Sequence, residues 1–211
     1  MENLPHRARR AWIILLSGAI LVGVAIQFVD RPAATWSHEH LGRPAIFDQI
    51  TQYVDPLPIV ATIVVAAVAI AAMFGWWKSG QYGRTLISAC LAILVSEEIK
   101  EQLKYFFGRP WPEAWTSRNP SWIANHVDGF HFFHGGSGWE SFPSGHMAQI
   151  TALASVIWLR LPRIRWLGVA VSVLVAFVLW GSNYHFVGDI IAGALLGTAC
   201  GIGTVAVVCR E

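Results

Sequence analysis

The sequence predicts an all-α polytopic membrane bundle of about six transmembrane helices, on three grounds. The first is composition: 55% of the 211 residues are hydrophobic and 13% are charged, with a mean hydropathy of +0.48. A soluble domain carries about 25% charged residues. The second is the grouping of apolar residues into runs of about 15–23, lengths suited to crossing a bilayer. The third is the uneven sharing of Lys and Arg between alternate connections. One domain, residues 1–211, accommodates these runs. A net charge of +2 is too small to argue for a nucleic-acid partner.

The first span is expected over residues 12–29. It follows a basic start and lacks a small-residue cleavage site, so it reads as a retained anchor. Residues 30–56 are polar and punctuated by proline, and read as a loop. A second span covers 57–77, closed by the polar stretch 78–84. A third covers 85–107, but its second half carries Glu97, Glu98, Lys100, Glu101 and Lys104. Charges at that depth need water or partners, and the shared helix face of Glu97, Glu101 and Lys104 predicts a Glu101–Lys104 pair.

Residues 108–142 form a long outer loop rich in Trp and Phe. Loops of that length are usually functional, and this one is expected to cover a site. Spans four to six fall at 147–161, 166–180 and 186–208. With the amino terminus inside, Arg7, Arg9, Arg10, Lys78, Arg84, Arg160, Arg163, Arg165 and Arg210 all lie on the cytoplasmic side, as do both termini. Cys90, Cys200 and Cys209 lack ligand spacing and read as thiols within apolar runs.

That topology places three reactive segments on the outer face. One is the end of the third helix. The second is Ser141-Phe142-Pro143-Ser144-Gly145-His146, ahead of the apolar run from Met147. Pro143 fixes its φ, Ser144 is suited to cap a helix, and Gly145 lets a ligand approach the backbone. A helix starting there offers free N–H groups to an anion, with His146 in the first turn as proton donor. The plainer reading is a capped helix start with an incidental histidine. The third segment holds His185 and Asp189, four residues apart, a spacing at which the carboxylate can orient the imidazole as base or nucleophile. The plainer reading there is a helix-start carboxylate beside a chance histidine. No third ligand is spaced with the pair, and His126, His131, His134 and Glu140 read as ordinary loop side chains, so no metal is expected.

In the order Lys104, Pro112, Ser144-Gly145-His146 and His185/Asp189, the chain resembles the type-2 phosphatidic acid phosphatase family of membrane lipid phosphatases, with a motif core over about residues 97–193. That family's first motif is Lys, six residues, Arg-Pro. Its second is Pro-Ser-Gly-His, and its third is Ser-Arg, five residues, His, three residues, Asp. Lys104 matches the first lysine, Pro143 to His146 match the second motif, and His185 and Asp189 match the end of the third.

The resemblance implies that His185 attacks phosphorus, Asp189 orients it and His146 protonates the departing oxygen, through a phosphohistidine and without metal or cofactor. Lys104, Ser144 and Gly145 would bind the substrate phosphate. Two positions depart from the pattern, because Trp111 and Leu179 stand where the family has arginine. Arg109 is the nearest substitute in sequence, and is expected in the phosphate clamp. The implied partner is a lipid phosphate: a polyprenyl diphosphate, a phosphatidate-type lipid or a lipid A phosphate. The implied location is a bacterial inner membrane with the site facing the periplasm or exterior. A phosphotransferase using the same intermediate and a noncatalytic lipid-phosphate binding protein are the alternatives.

Overall fold

The computed structural model describes residues 4–78, 80–115 and 118–209, excluding the side chains of 4–12, Leu15 and Asp48. Arg7, Arg9, Arg10 and Arg210, part of the charge argument, therefore lie outside the described side chains. The described chain is helical, without strands, and begins with α1 (Leu4–Val24), a π turn (Ala25–Val29) and α2 (Asp30–Leu41). Then come α3 (Ala45–Gln52), α4 (Leu57–Met73), α5 (Gln81–Phe107) and the single turn α6 (Trp122–Asn125). The chain ends with α7 (Gly145–Arg160), α8 (Arg165–Gly181) and α9 (Val187–Val208).

Among the described residues, three stretches are long and apolar enough to cross a membrane: Leu16–Leu41, Ala45–Met73 and Val187–Val208, with Arg165–Gly181 a shorter apolar helix. Their outward faces carry exposed Leu16, Ile20, Ile63, Leu167 and Val173. Lipid tails, rather than water, suit such faces.

The expected polar loop at 30–56 is instead largely helical. Pro32 lacks an N–H, and the π turn immediately before α2 absorbs the disturbance. Pro44 stands at the start of α3, and Pro56 and Pro58 at the start of α4, positions that proline tolerates. The proline punctuation thus marks helix starts within a helical stretch.

The heart of the bundle is α9, which packs on α7 and α5, with α8 against α7, α4 against α5 and α1 against α9. The approach of α9 to α7 is set by Gly193, Gly197 and Gly201, whose missing side chains would meet the carbonyls of Ser144, Ala148 and Ala152. Gly197→Ala drives a methyl into the Ala148 carbonyl, and is expected to destabilise the bundle by about 1–3 kcal/mol. The fall in thermal midpoint in detergent measures this; an unchanged midpoint would mean that the helices separate freely.

Candidate active site

Three helix ends and two connections build one cleft. Helix α5 ends at Gly108, in the left-handed region at φ 54° with the His131 carbonyl against it, which turns the chain into the segment carrying Arg109 and Trp111. Ser144 caps α7, its hydroxyl accepting the Met147 N–H at 3.4 Å, while its own N–H donates to the Asp189 carbonyl at 3.0 Å. After α8 the Leu179 carbonyl accepts the N–H groups of Tyr184 (3.0 Å) and His185 (3.2 Å), closing the turn that presents His185. A cavity of about 210 Å³ lies between these parts, lined by Lys100, Lys104, Trp111, Gly145, His146 and His185.

Asp189 is fully buried behind His185, with Oδ2 at 3.6 Å from Nδ1 of the imidazole. Three donors fix the carboxylate: Arg109 Nη1 to Oδ1 at 2.5 Å, Ser141 Oγ to Oδ2 at 2.5 Å, and the Phe186 N–H to Oδ2 at 3.0 Å. The other arm of Arg109 donates to Asp30 Oδ2 at 2.7 Å. Oδ1 of Asp30 accepts the Gly188 N–H at 2.7 Å, supplying negative charge at the start of α9. Burial works against the Arg109 charge, but Asp189 and Asp30 outweigh it and hold the guanidinium above its ordinary pKa. For His185, burial dominates and pushes the imidazole below the usual histidine range, against the pull of Asp189. The surroundings of His185 therefore favour the neutral ring.

Across the cleft, His146 Nε2 meets Asp55 Oδ1 at 2.9 Å. Lys100 Nζ contacts Glu97 at 2.6 Å and Glu101 at 2.7 Å, and Gln149 donates to the second Glu97 oxygen at 2.7 Å. The Glu101–Lys104 pair expected from the helix face is therefore replaced by Glu101–Lys100. The ammonium of Lys104 has no ion-pair or hydrogen-bond partner among the described residues, and lines the cleft.

A family model described as the PAP2 superfamily matches residues 85–210. The chain belongs to that superfamily. In structure it is similar to LpxE of Aquifex aeolicus, with 18% identity, a TM-score of 0.52, and 84% of this chain and 94% of that one covered, which shows a shared fold. A transmembrane PAP2 type phosphatidylglycerolphosphate phosphatase from Bacillus subtilis aligns at 17% identity and a TM-score of 0.48, over 92% of each chain. None of the curated proteins matches this chain in sequence.

Within this PAP2-superfamily chain, His146, His185, Lys104 and Gly145 line the cleft, with Asp189 directly behind His185. Two expected phosphate ligands stand elsewhere. Arg109 is 1% exposed with both arms bonded to carboxylates, so it holds Asp189 instead of facing the cavity. Ser144 is fully buried and spends its hydroxyl on the helix cap. The two departures from the family pattern have different surroundings. Leu179 packs into an apolar cluster with Met147, Ile150, Val175 and Ile190. Trp111 stays in the cleft, its indole N–H donating to the Ser137 carbonyl at 2.7 Å and its ring centroid 5.1 Å from that of His185. Beyond Trp111 lies a second cavity of about 360 Å³, lined by Trp115, Asn119 and Glu140, and sharing Lys104, Trp111 and Tyr184 with the first. The aromatic loop thus forms the cleft's outer wall.

Sequence reasoning missed Asp30, Asp55, Ser141 and the placement of Lys100. Asp30 and Asp55 lie in the segment read as a loop, where carboxylates are unremarked. The signal for Ser141 was its place at the head of the Pro-Ser-Gly-His stretch.

Proposed function

We propose that this PAP2-superfamily protein is a membrane lipid phosphatase that hydrolyses a phosphate monoester or diphosphate of a lipid through a phosphohistidine intermediate. The observation that carries this reading is the convergence of a neutral His185 backed by Asp189, of His146, and of the unpartnered Lys104 ammonium on one cavity.

In this scheme Nδ1 of His185 faces Asp189, and Nε2 attacks phosphorus. The bond from phosphorus to the leaving oxygen breaks as His146 gives that oxygen a proton. Asp55 accepts from His146 Nε2, so the ring gives its proton from Nδ1 as the imidazolium, a form that Asp55 favours and burial opposes, holding the pKa down to about 4. Lys104 and the first turn of α7 at Gly145 hold the non-bridging oxygens, where charge concentrates in the transition state. Water, deprotonated by His146, then cleaves the phosphorus–nitrogen bond and frees His185 and phosphate. No step calls for a metal or cofactor.

The whole chain, residues 1–211, acts in this proposal as one domain of six spans with both termini cytoplasmic. The cleft opens at the outer face of a bacterial inner membrane, an orientation supported by the distribution of Lys and Arg. The second cavity is suited to the lipid side of the head group, and the candidate substrates are polyprenyl diphosphates, phosphatidate-type lipids and lipid A phosphates.

Purified protein in detergent with EDTA is expected to release phosphate from at least one of these lipids. Loss of release on adding EDTA would overturn the metal-free scheme. Turnover that appears only with a second lipid as acceptor would make the protein a phosphotransferase. Phosphate binding with neither hydrolysis nor transfer would make it a binding protein.

A further inference from the structure

We propose that Lys100 is a phosphate-binding residue, supplying the cation that Trp111 and Leu179 do not; this rests on the phosphatase reading above. A phosphoryl group in transfer needs positive charge around its equatorial oxygens. Arg109 is committed to Asp30 and Asp189, and Leu179 lies in an apolar cluster. Lys104 alone is a thin clamp for a dianion.

Lys100 stands one helical turn before Lys104 on α5 and lines the same cavity. Its side chain lies against the start of α7 so closely that a Cβ on Gly145 would be 2.7 Å from Cδ and 3.2 Å from Nζ. The ammonium therefore sits at the backbone of Gly145, where the free N–H groups of the helix start meet an anion. An ammonium has three donors. Glu97 and Glu101 occupy two, and the third remains for a ligand. Gln149 braces Glu97 from α7, so the lysine is held in place by both helices that form the cleft. Gly145 thereby acquires a second role: any larger residue would displace Lys100.

This arrangement also shapes what binds. Glu97, Glu101 and Asp55 oppose the two lysines, so the cleft discriminates by placement of charge more than by net attraction. The ligand that fits is a single tetrahedral phosphoryl group lying between the Lys100 and Lys104 ammoniums.

The test compares full-length wild type, Lys100→Met and Lys100→Arg in detergent, using inorganic phosphate as the probe. Two quantities are read: the rise in thermal midpoint with phosphate, and phosphate's inhibition constant against lipid hydrolysis. Lys100→Met is expected to weaken phosphate by about tenfold or more and to raise KM similarly, with Lys100→Arg within about threefold of wild type, since it keeps the charge. Should Lys100→Met fold poorly because Glu97 is left unpaired, the double variant Glu97→Gln/Lys100→Met gives the same reading without the more buried of the two stranded carboxylates, Glu101 being half-exposed to water. Phosphate protection that is equal in wild type and Lys100→Met, or absent from wild type, overturns the proposal. If wild type is protected by phosphate but hydrolyses no lipid, the phosphatase reading fails, while loss of protection in Lys100→Met still upholds the binding role.

Discussion

Replacing His185 with alanine is expected to lower phosphate release by more than about 10⁴-fold, the scale on which loss of an attacking group shows in covalent catalysis. The protein should remain folded, because Asp189 keeps Arg109, Ser141 and the Phe186 N–H as partners. Activity and thermal midpoint must be read together: lost activity with a preserved midpoint identifies a chemical role. The acid side of the wild-type rate profile carries a matching expectation. Burial depresses the His185 pKa, the neutral ring is the attacking form, and protonation removes it. Activity that falls with pH only below the ordinary histidine value near 6.5 would fit. A variant retaining release within about tenfold of wild type would place the attacking group elsewhere.

The second large effect is expected at Arg109, for reasons of charge and not of substrate contact. Arg109→Met strands two fully buried carboxylates, Asp30 and Asp189, which the guanidinium now separates and bonds. Breaking a buried ion pair by removing one partner costs about 3–5 kcal/mol, and here one side chain serves two pairs. Loss of folded protein on size exclusion, or a large fall in thermal midpoint, is the expected result. Arg109→Lys keeps the charge but cannot span both acids with a planar fork, and should fall between. Arg31 is the control: it bonds Asp128 at a half-exposed side chain, and Arg31→Ala should change little. An Arg109→Met protein as stable as wild type, with KM raised and kcat kept, would return Arg109 to the phosphate clamp.

The helical character, the long apolar stretches and the two histidines with Asp189 were legible because each depends on residues close in sequence. Runs of apolar residues, a capping serine and a four-residue spacing are local patterns. The role of Arg109 was not legible, because its nearness to Trp111 in sequence says nothing of Asp30, which lies 79 residues earlier. The lysines were exchanged for a related reason. Glu97, Lys100, Glu101 and Lys104 all crowd one side of α5, and what selects Lys100 for the ion pairs is Gln149 and the open space at Gly145 on another helix. Residues 30–56 read as a loop because proline breaks helix interiors, whereas Pro32, Pro44 and Pro56 stand in or next to first turns.

Asp30, behind Asp189, and Asp55, beside His146, both precede residue 85, where the family match begins. A graft of the matched region onto foreign leading helices would inherit both histidines and Asp189, yet arrive without Asp30 and Asp55. Similarity and self-sufficiency therefore end at different places in this chain. Its amino-terminal helices are as much a part of the inheritance as the motifs that announce it.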